Sequence, residues 1–228
     1  MEKLIYVLQM DPPLPAEQLR ARLLHGLIDD MRSHGASQIT VNVADLNDRI
    51  EGSAPGRLMG PWREVSAVFS FWLDSLDRRG PIEALLATQS EGLQGYLVTE
   101  SVPQGFEVAW EGGSRRPGVT QFGMNAKPED VSLEDFYHTW QVLHSEQSFE
   151  LHPLRWSYVR NAVARPLTAG APDYLAIVCE HFRTLEDFVD DERYFGSEEA
   201  IQTMIGHLPG FCDLGSMVSL AMSEYYFA

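Results

Sequence analysis

Two hydrophobic periods alternate along the chain. Residues 3–10 (KLIYVLQM) are apolar with β-branched and aromatic members, which predicts a strand ended by Asp11-Pro12-Pro13. Leu19, Leu23, Leu24, Leu27, Ile28 and Met31 then recur at helical spacing, which predicts one helix from Pro15 to about His34 with Gly35 as its C′ residue. Residues 38–44 alternate as a strand, with Ile39, Val41 and Val43 on one face. A Gly- and Pro-bearing irregular stretch covers 45–63, and a third strand covers 64–73. Ser75 or Asp77 caps a helix to about Gln89, and residues 92–102 form a fourth strand.

After a polar stretch the same order returns. Strands are expected over 119–127, 155–165, 174–182 and 217–227. A helix capped by Ser132, with Asp135 in its first turn, precedes a turn at Pro153. A second helical region, capped by Thr184, runs to about Leu208 with a break near Gly196. The two halves also match residue against residue. Leu24-His25 aligns with Leu143-His144 and Asn42 with Asn161, both 119 positions apart. Ser75-Leu76-Asp77 mirrors Thr184-Leu185-Glu186.

The fold class expected is therefore α+β: tandem ferredoxin-like βαββαβ repeats. Each repeat has a sheet with helices on one face and a bare apolar face on the other. Two bare faces in one chain are expected to close on each other as an intramolecular α+β barrel without free edges. The domains expected are a first repeat over 1–103, a linker over 104–117 and a second repeat over 118–228.

Composition narrows the partners. The chain has 228 residues, 44% of them hydrophobic and 22% charged, as in an ordinary globular protein. Its net charge of −16 argues against nucleic acid and against an anionic membrane surface. No stretch reads as a membrane span or a secretory signal, so a cytoplasmic location is expected. Cys179 and Cys212 form neither a disulfide framework nor a zinc spacing.

The second half resembles the EthD domain of the dimeric α+β barrel superfamily. The residues that carry the resemblance are Leu133-Glu134-Asp135-Phe136, His138, Trp140, His144, Tyr158-Val159-Arg160-Asn161, Glu180 and Phe182. The first half keeps His25 and Asn42 but lacks the Trp and the first His, and Ser145-Glu146-Gln147 stands where the family usually has a Pro. The resemblance implies a barrel of this kind. Among relatives it implies cofactor-free monooxygenases, lactone isomerases and polyketide cyclases or dehydratases.

His144 is the leading candidate for chemistry, as a general acid/base that takes and returns a proton. Arg160 or Asn161 is expected to polarise a substrate carbonyl; on a strand they point to opposite faces, and Tyr158 shares the Arg160 face. Trp140, Tyr137, Tyr158, Trp156 and Glu180 are candidates for holding substrate. Glu180 and His181 take opposite faces of their strand, and a solvent-facing charge is the plainer reading for Glu180. His25 reads as a relic, so one competent site is expected, in the second half. His138 and His144 are six apart, about 120° off one another on a helix, which makes a poor chelate. No metal and no cofactor are expected. Two readings follow. One is a cofactor-independent enzyme doing lyase, cyclase or isomerase chemistry on a hydrophobic carbonyl or polyketide-like molecule. The other is a non-catalytic protein that holds an apolar small molecule. The chain is expected to be a monomer with an internal pseudo-dimer, or a homodimer.

Overall fold

The computed structural model describes residues 1–10, 14–105 and 110–228. The expected break at Asp11-Pro12-Pro13 and the middle of the expected linker lie outside them. Eight antiparallel strands close into one barrel in the order β1-β3-β2-β8-β5-β7-β6-β4. These are β1 (Glu2–Gln9), β2 (Ser37–Val43), β3 (Val65–Leu73), β4 (Gly92–Gln104), β5 (Val119–Asn125), β6 (Arg155–Pro166), β7 (Ala176–Phe182) and β8 (Val218–Phe227). Strands β1–β4 contribute the order 4-1-3-2, and β5–β8 contribute the same order again.

The two four-stranded sheets join at two seams. Strand β2 pairs with β8, and β4 pairs with β6. The seams are equivalent: Asn42 faces Glu224 across one and Asn161 faces Glu100 across the other. The ladders inside each sheet agree with that symmetry. Lys3 faces Trp72 and Val98, and Thr120, its counterpart, faces His181 and Met222. Closure leaves every strand with two neighbours, so the backbone groups of edge strands find partners within the chain.

Alternation along the strands sorts side chains to two sides. Ile5, Val7, Val68, Tyr96, Phe122, Ile177, Leu220 and Met222 point inward and fill much of the barrel. Leu4, Tyr6, Leu8, Ile39, Val41, Phe69 and Phe71 point outward under the helices of the first half. Burying one such side chain contributes about 1.5–3 kcal/mol.

Several helices differ from expectation. The helix expected over 15–34 is two, α1 (Ala16–Leu24) and α2 (Leu27–Ser33), because Gly26 takes φ +81°, which interrupts the helix. Gly35 does close α2 with positive φ. The irregular stretch 45–63 contains α3 (Asn47–Ser53) and two 3-10 turns. Asn47 also reaches across to accept from the Ala221 amide at 3.2 Å, tying α3 to β8. Ser75 caps only a 3-10 turn, and the helix proper is α4 (Gly80–Ala87), with Pro81 in its first turn. The region 184–208 is three short helices, α7 (Leu185–Val189), α8 (Asp191–Phe195) and α9 (Glu198–His207). Thr184, Asp190 and Ser197 cap them in turn, and Gly196 sits between α8 and α9 at φ +78°.

Candidate functional site

The helix expected after Ser132 begins as predicted. Ser132 Oγ accepts from the Asp135 amide at 3.0 Å and donates to the Asp135 carboxylate at 2.7 Å. It does not continue as one regular helix. α5 (Leu133–His138) widens into a π-helical turn, Thr139–His144, before α6 (Ser145–Leu151) resumes. Such turns are rare and are frequent at functional sites. Side chains bond carbonyls of the widened turn. Ser145 Oγ donates to the Trp140 carbonyl at 2.8 Å, and Arg160 donates to the Gln141 carbonyl at 2.7 Å. Trp140 is thereby buried against Phe136, and the His144 ring lies 4.8 Å from the Phe211 ring.

A cavity of about 150 Å³ lies between these helices and the outward face of the second sheet. Its helix side presents Trp140, His144, His152 and Phe211, and its sheet side presents Gln121, Gly123, Tyr158 and Glu180. The matching face of the first sheet holds Leu4, Tyr6, Ile39 and Phe71 at the equivalent positions, and these are packed solid. A small residue where the first half has Tyr6, and polar residues where it has Leu4 and Phe71, leave the space open.

His144 Nδ1 is buried and has no hydrogen-bond partner among the described residues. Burial drives the His144 pKa down to about 4, against the pull of Glu180. The imidazole is therefore neutral at pH 7. His152 is buried too. Its Nδ1 donates to the Tyr194 carbonyl at 3.1 Å, which fixes the tautomer and leaves Nε2 with its lone pair. Burial likewise lowers its pKa.

Glu180 is buried, contrary to the expected solvent-facing charge. Burial opposes its ionisation, but the charge and hydrogen bond of Arg155 outweigh it and hold the carboxyl below its usual range. Arg155 Nη1 stands 2.6 Å from Glu180 Oε1. The same guanidinium donates to Ser148 Oγ at 3.1 Å and to Gln104 Oε1 at 3.2 Å, and lies 4.2 Å over the Tyr158 ring. Burial pushes the Tyr158 phenol up to about 12, so it stays protonated as a donor. The Cys212 thiol, also on the cavity wall, is pushed up to about 12 and is no thiolate nucleophile.

The structure gathers His144, Trp140, Tyr158 and Glu180 and leaves the other predicted site residues elsewhere. Asn161 faces the barrel interior. Arg160 shares the outward face with Tyr158 but is spent on Gln141 and Ser145, where it braces the helix. Trp156 does not join Tyr158. The β6–β7 register shifts between Arg155 and Ser157, and the Trp156 ring sits 5.9 Å from Trp110 and 5.8 Å from His181. Tyr137 packs edge-on against Phe136 at 5.1 Å and does not line the cavity. His138 is exposed. His25 is exposed as well, and its Nδ1 donates to the Ala21 carbonyl at 3.1 Å.

His152 was not anticipated. The series Trp140, His144, Ser148, His152 at intervals of four was the available signal. Arg57 reaches the cavity wall from the first half. It lies 3.8 Å over the Tyr194 ring and bonds Asp191 at 2.7 Å, a long-range contact with no local signature. Among the described residues no cluster of three or more His, Cys, Asp or Glu has metal-binding geometry, and no helix is long and apolar enough to cross a membrane.

No known family's sequence profile matches the chain, and no curated protein matches it in sequence. Solved structures do match. An anthrone oxidase-like protein aligns over 99% of this chain and 92% of its own, at TM-score 0.59 and 10% identity. A protein of Lactobacillus acidophilus, provisionally assigned as a monooxygenase, aligns over 98% and 93% at TM-score 0.53 and 10% identity. A chlorite dismutase variant from Candidatus Nitrospira defluvii aligns over 98% and 91% at TM-score 0.51 and 14% identity. At such identities the likeness is one of fold: the chain has the architecture of the dimeric α+β barrel proteins.

Proposed function

We propose that the chain binds a hydrophobic carbonyl compound of about one ring in the cavity of its second half. There it carries out cofactor-independent proton transfer of the lyase, cyclase or isomerase kind. The observation that carries this reading is His144: a neutral imidazole, its Nδ1 buried without a partner among the described residues, on the wall of a cavity that mixes aromatic, aliphatic and polar side chains. An apolar cavity of about 150 Å³ holds a molecule the size of benzene, so the substrate is small rather than multi-ring.

The roles follow from charge. His144 takes the proton, and the ionised Glu180 stabilises the imidazolium that forms. Tyr158 supplies an O–H donor for the developing enolate. A base whose conjugate acid has a pKa of about 4 needs an acidic C–H, such as the one between two carbonyls. Neighbours named for monooxygenation and anthrone oxidation support a small-molecule reading. The EthD resemblance supports it through the four of its residues that meet here, His144, Trp140, Tyr158 and Glu180.

The test is deuterium uptake at the central carbon of acetylacetone and of benzoylacetone, followed by NMR in D2O. Uptake above the buffer rate, lost in a folded His144→Gln variant, is the expected result. Uptake unchanged by that variant overturns the role of His144. Saturable binding without uptake, retained in the variant, would favour the non-catalytic ligand-holding reading.

A further inference from the structure

A second cavity, of about 180 Å³, opens inside the barrel on the other face of the same sheet. We propose that it is a separate binding site for a small uncharged polyhydroxyl molecule.

The site is built by the pseudo-two-fold axis. Asn42 and Asn161 both line it and are almost fully buried, at 2% and 1% exposure. The Oδ1 of each accepts no hydrogen bond from any described residue. Asn161 Nδ2 donates to the Ile177 carbonyl at 3.4 Å, which turns its Oδ1 away from the ladder. Leaving such a buried acceptor unpaired is costly, and this occurs twice, at equivalent positions. The volume far exceeds the roughly 10–15 Å³ that a single water needs.

Among the described residues the charged groups of the lumen come in pairs. Lys3 is bonded to Glu100, and Arg116 donates to Glu224 at 2.7 Å. Glu224 Oε2 also stands 3.1 Å from Thr120 Oγ1. His181 Nδ1 stands 2.7 Å from Thr120 Oγ1, while its Nε2 donates to the Pro117 carbonyl at 2.7 Å. Among the described residues these pairs leave no net charge to select an ion. What the lumen offers is two acceptors on opposite walls, with fixed donors and acceptors beside them. Hydroxyl groups satisfy both kinds at once. Consecutive residues Glu180 and His181 face the two cavities, so the sheet itself is the partition between them.

The test uses the full chain, labelled with nitrogen-15, titrated with glycerol, erythritol and glucose. Saturable shifts of the Asn42 and Asn161 side-chain amide signals are expected. Nuclear Overhauser contacts from polyol protons to those amides are expected with them. N42L and N161L are each expected to weaken binding by about tenfold, whereas His144→Gln, in the other cavity, leaves it intact. Contacts from those amides to water alone, with no saturable shift from any of the three, overturn the proposal. Loss of polyol binding in His144→Gln overturns it also, by placing the ligand across the sheet. The contacts in the unaltered protein decide the matter even if a leucine variant does not fold.

Discussion

Tyr6 on β1 and Gly123 on β5 occupy the same place in the two halves of the barrel. Tyr6 faces Phe69 and Gly95 across its ladders, and Gly123 faces Val178 and Ser219. The Tyr6 ring stacks on Phe71 at 5.8 Å and closes the first half, while the missing side chain at Gly123 leaves the cavity of the second.

Restoring bulk at Gly123 should therefore close the site. A Cβ there would stand 3.0 Å from Val178 Cγ2, so Val178 must give way. The double variant Gly123→Phe with Val178→Ala is expected to remain folded and to lose binding of acetylacetone and benzoylacetone. Calorimetric titration beside a thermal melt checks both halves of that statement. Binding that survives would place the ligand elsewhere.

The Arg155–Glu180 pair is expected to respond unequally to single and double change. Arg155→Met leaves a buried carboxylate uncompensated and should destabilise by about 3–5 kcal/mol at neutral pH. Adding Glu180→Leu should recover most of that loss, because no buried charge then remains. Urea unfolding of the two singles and the double closes the cycle. A double variant no better than Arg155→Met would show that the pair holds the fold in ways beyond charge.

Stability should fall as the solution is acidified through the histidine range. His144 and His181 have folded pKa values near 4, burial being the main cause, against the ordinary histidine value of about 6.5. Between those limits the unfolded chain takes up protons that the folded chain refuses, so acid favours unfolding. Each contributes up to about 3 kcal/mol by the end of that window. Glu180, held below its usual range, adds a further loss as pH drops through its folded pKa. Urea midpoints at about pH 7.5, 6 and 4.5 should decline in that order, with a shallower decline in His144→Gln. A flat profile would mean that these imidazoles are solvated.

A barrel closed within one chain predicts a monomer in sedimentation. Both seams that would join two subunits are internal here, β2 to β8 and β4 to β6. A dimer abolished by Leu143→Glu would instead place an interface on the helices, where Val142, Leu143 and Phe149 are exposed.

The sequence alone carried the strands, the Ser132 and Thr184 caps and the internal repeat, because alternation and capping are local patterns. The repeat was enough to call for a closed barrel, since two one-sided sheets in one chain have no better partner than each other. Alternation also separated Glu180 from His181, and Asn161 from Tyr158. Tertiary structure decided the rest. The π-helical turn at 139–144, the register shift that removes Trp156 from the site, and the burial of Glu180 beside Arg155 all depend on partners distant in the chain. Above all, whether a sheet face is filled or hollow is a sum of side-chain volumes from several strands and helices. Gly123 has a cavity beside it, and the tyrosine of the first half does not, because close packing is settled in three dimensions.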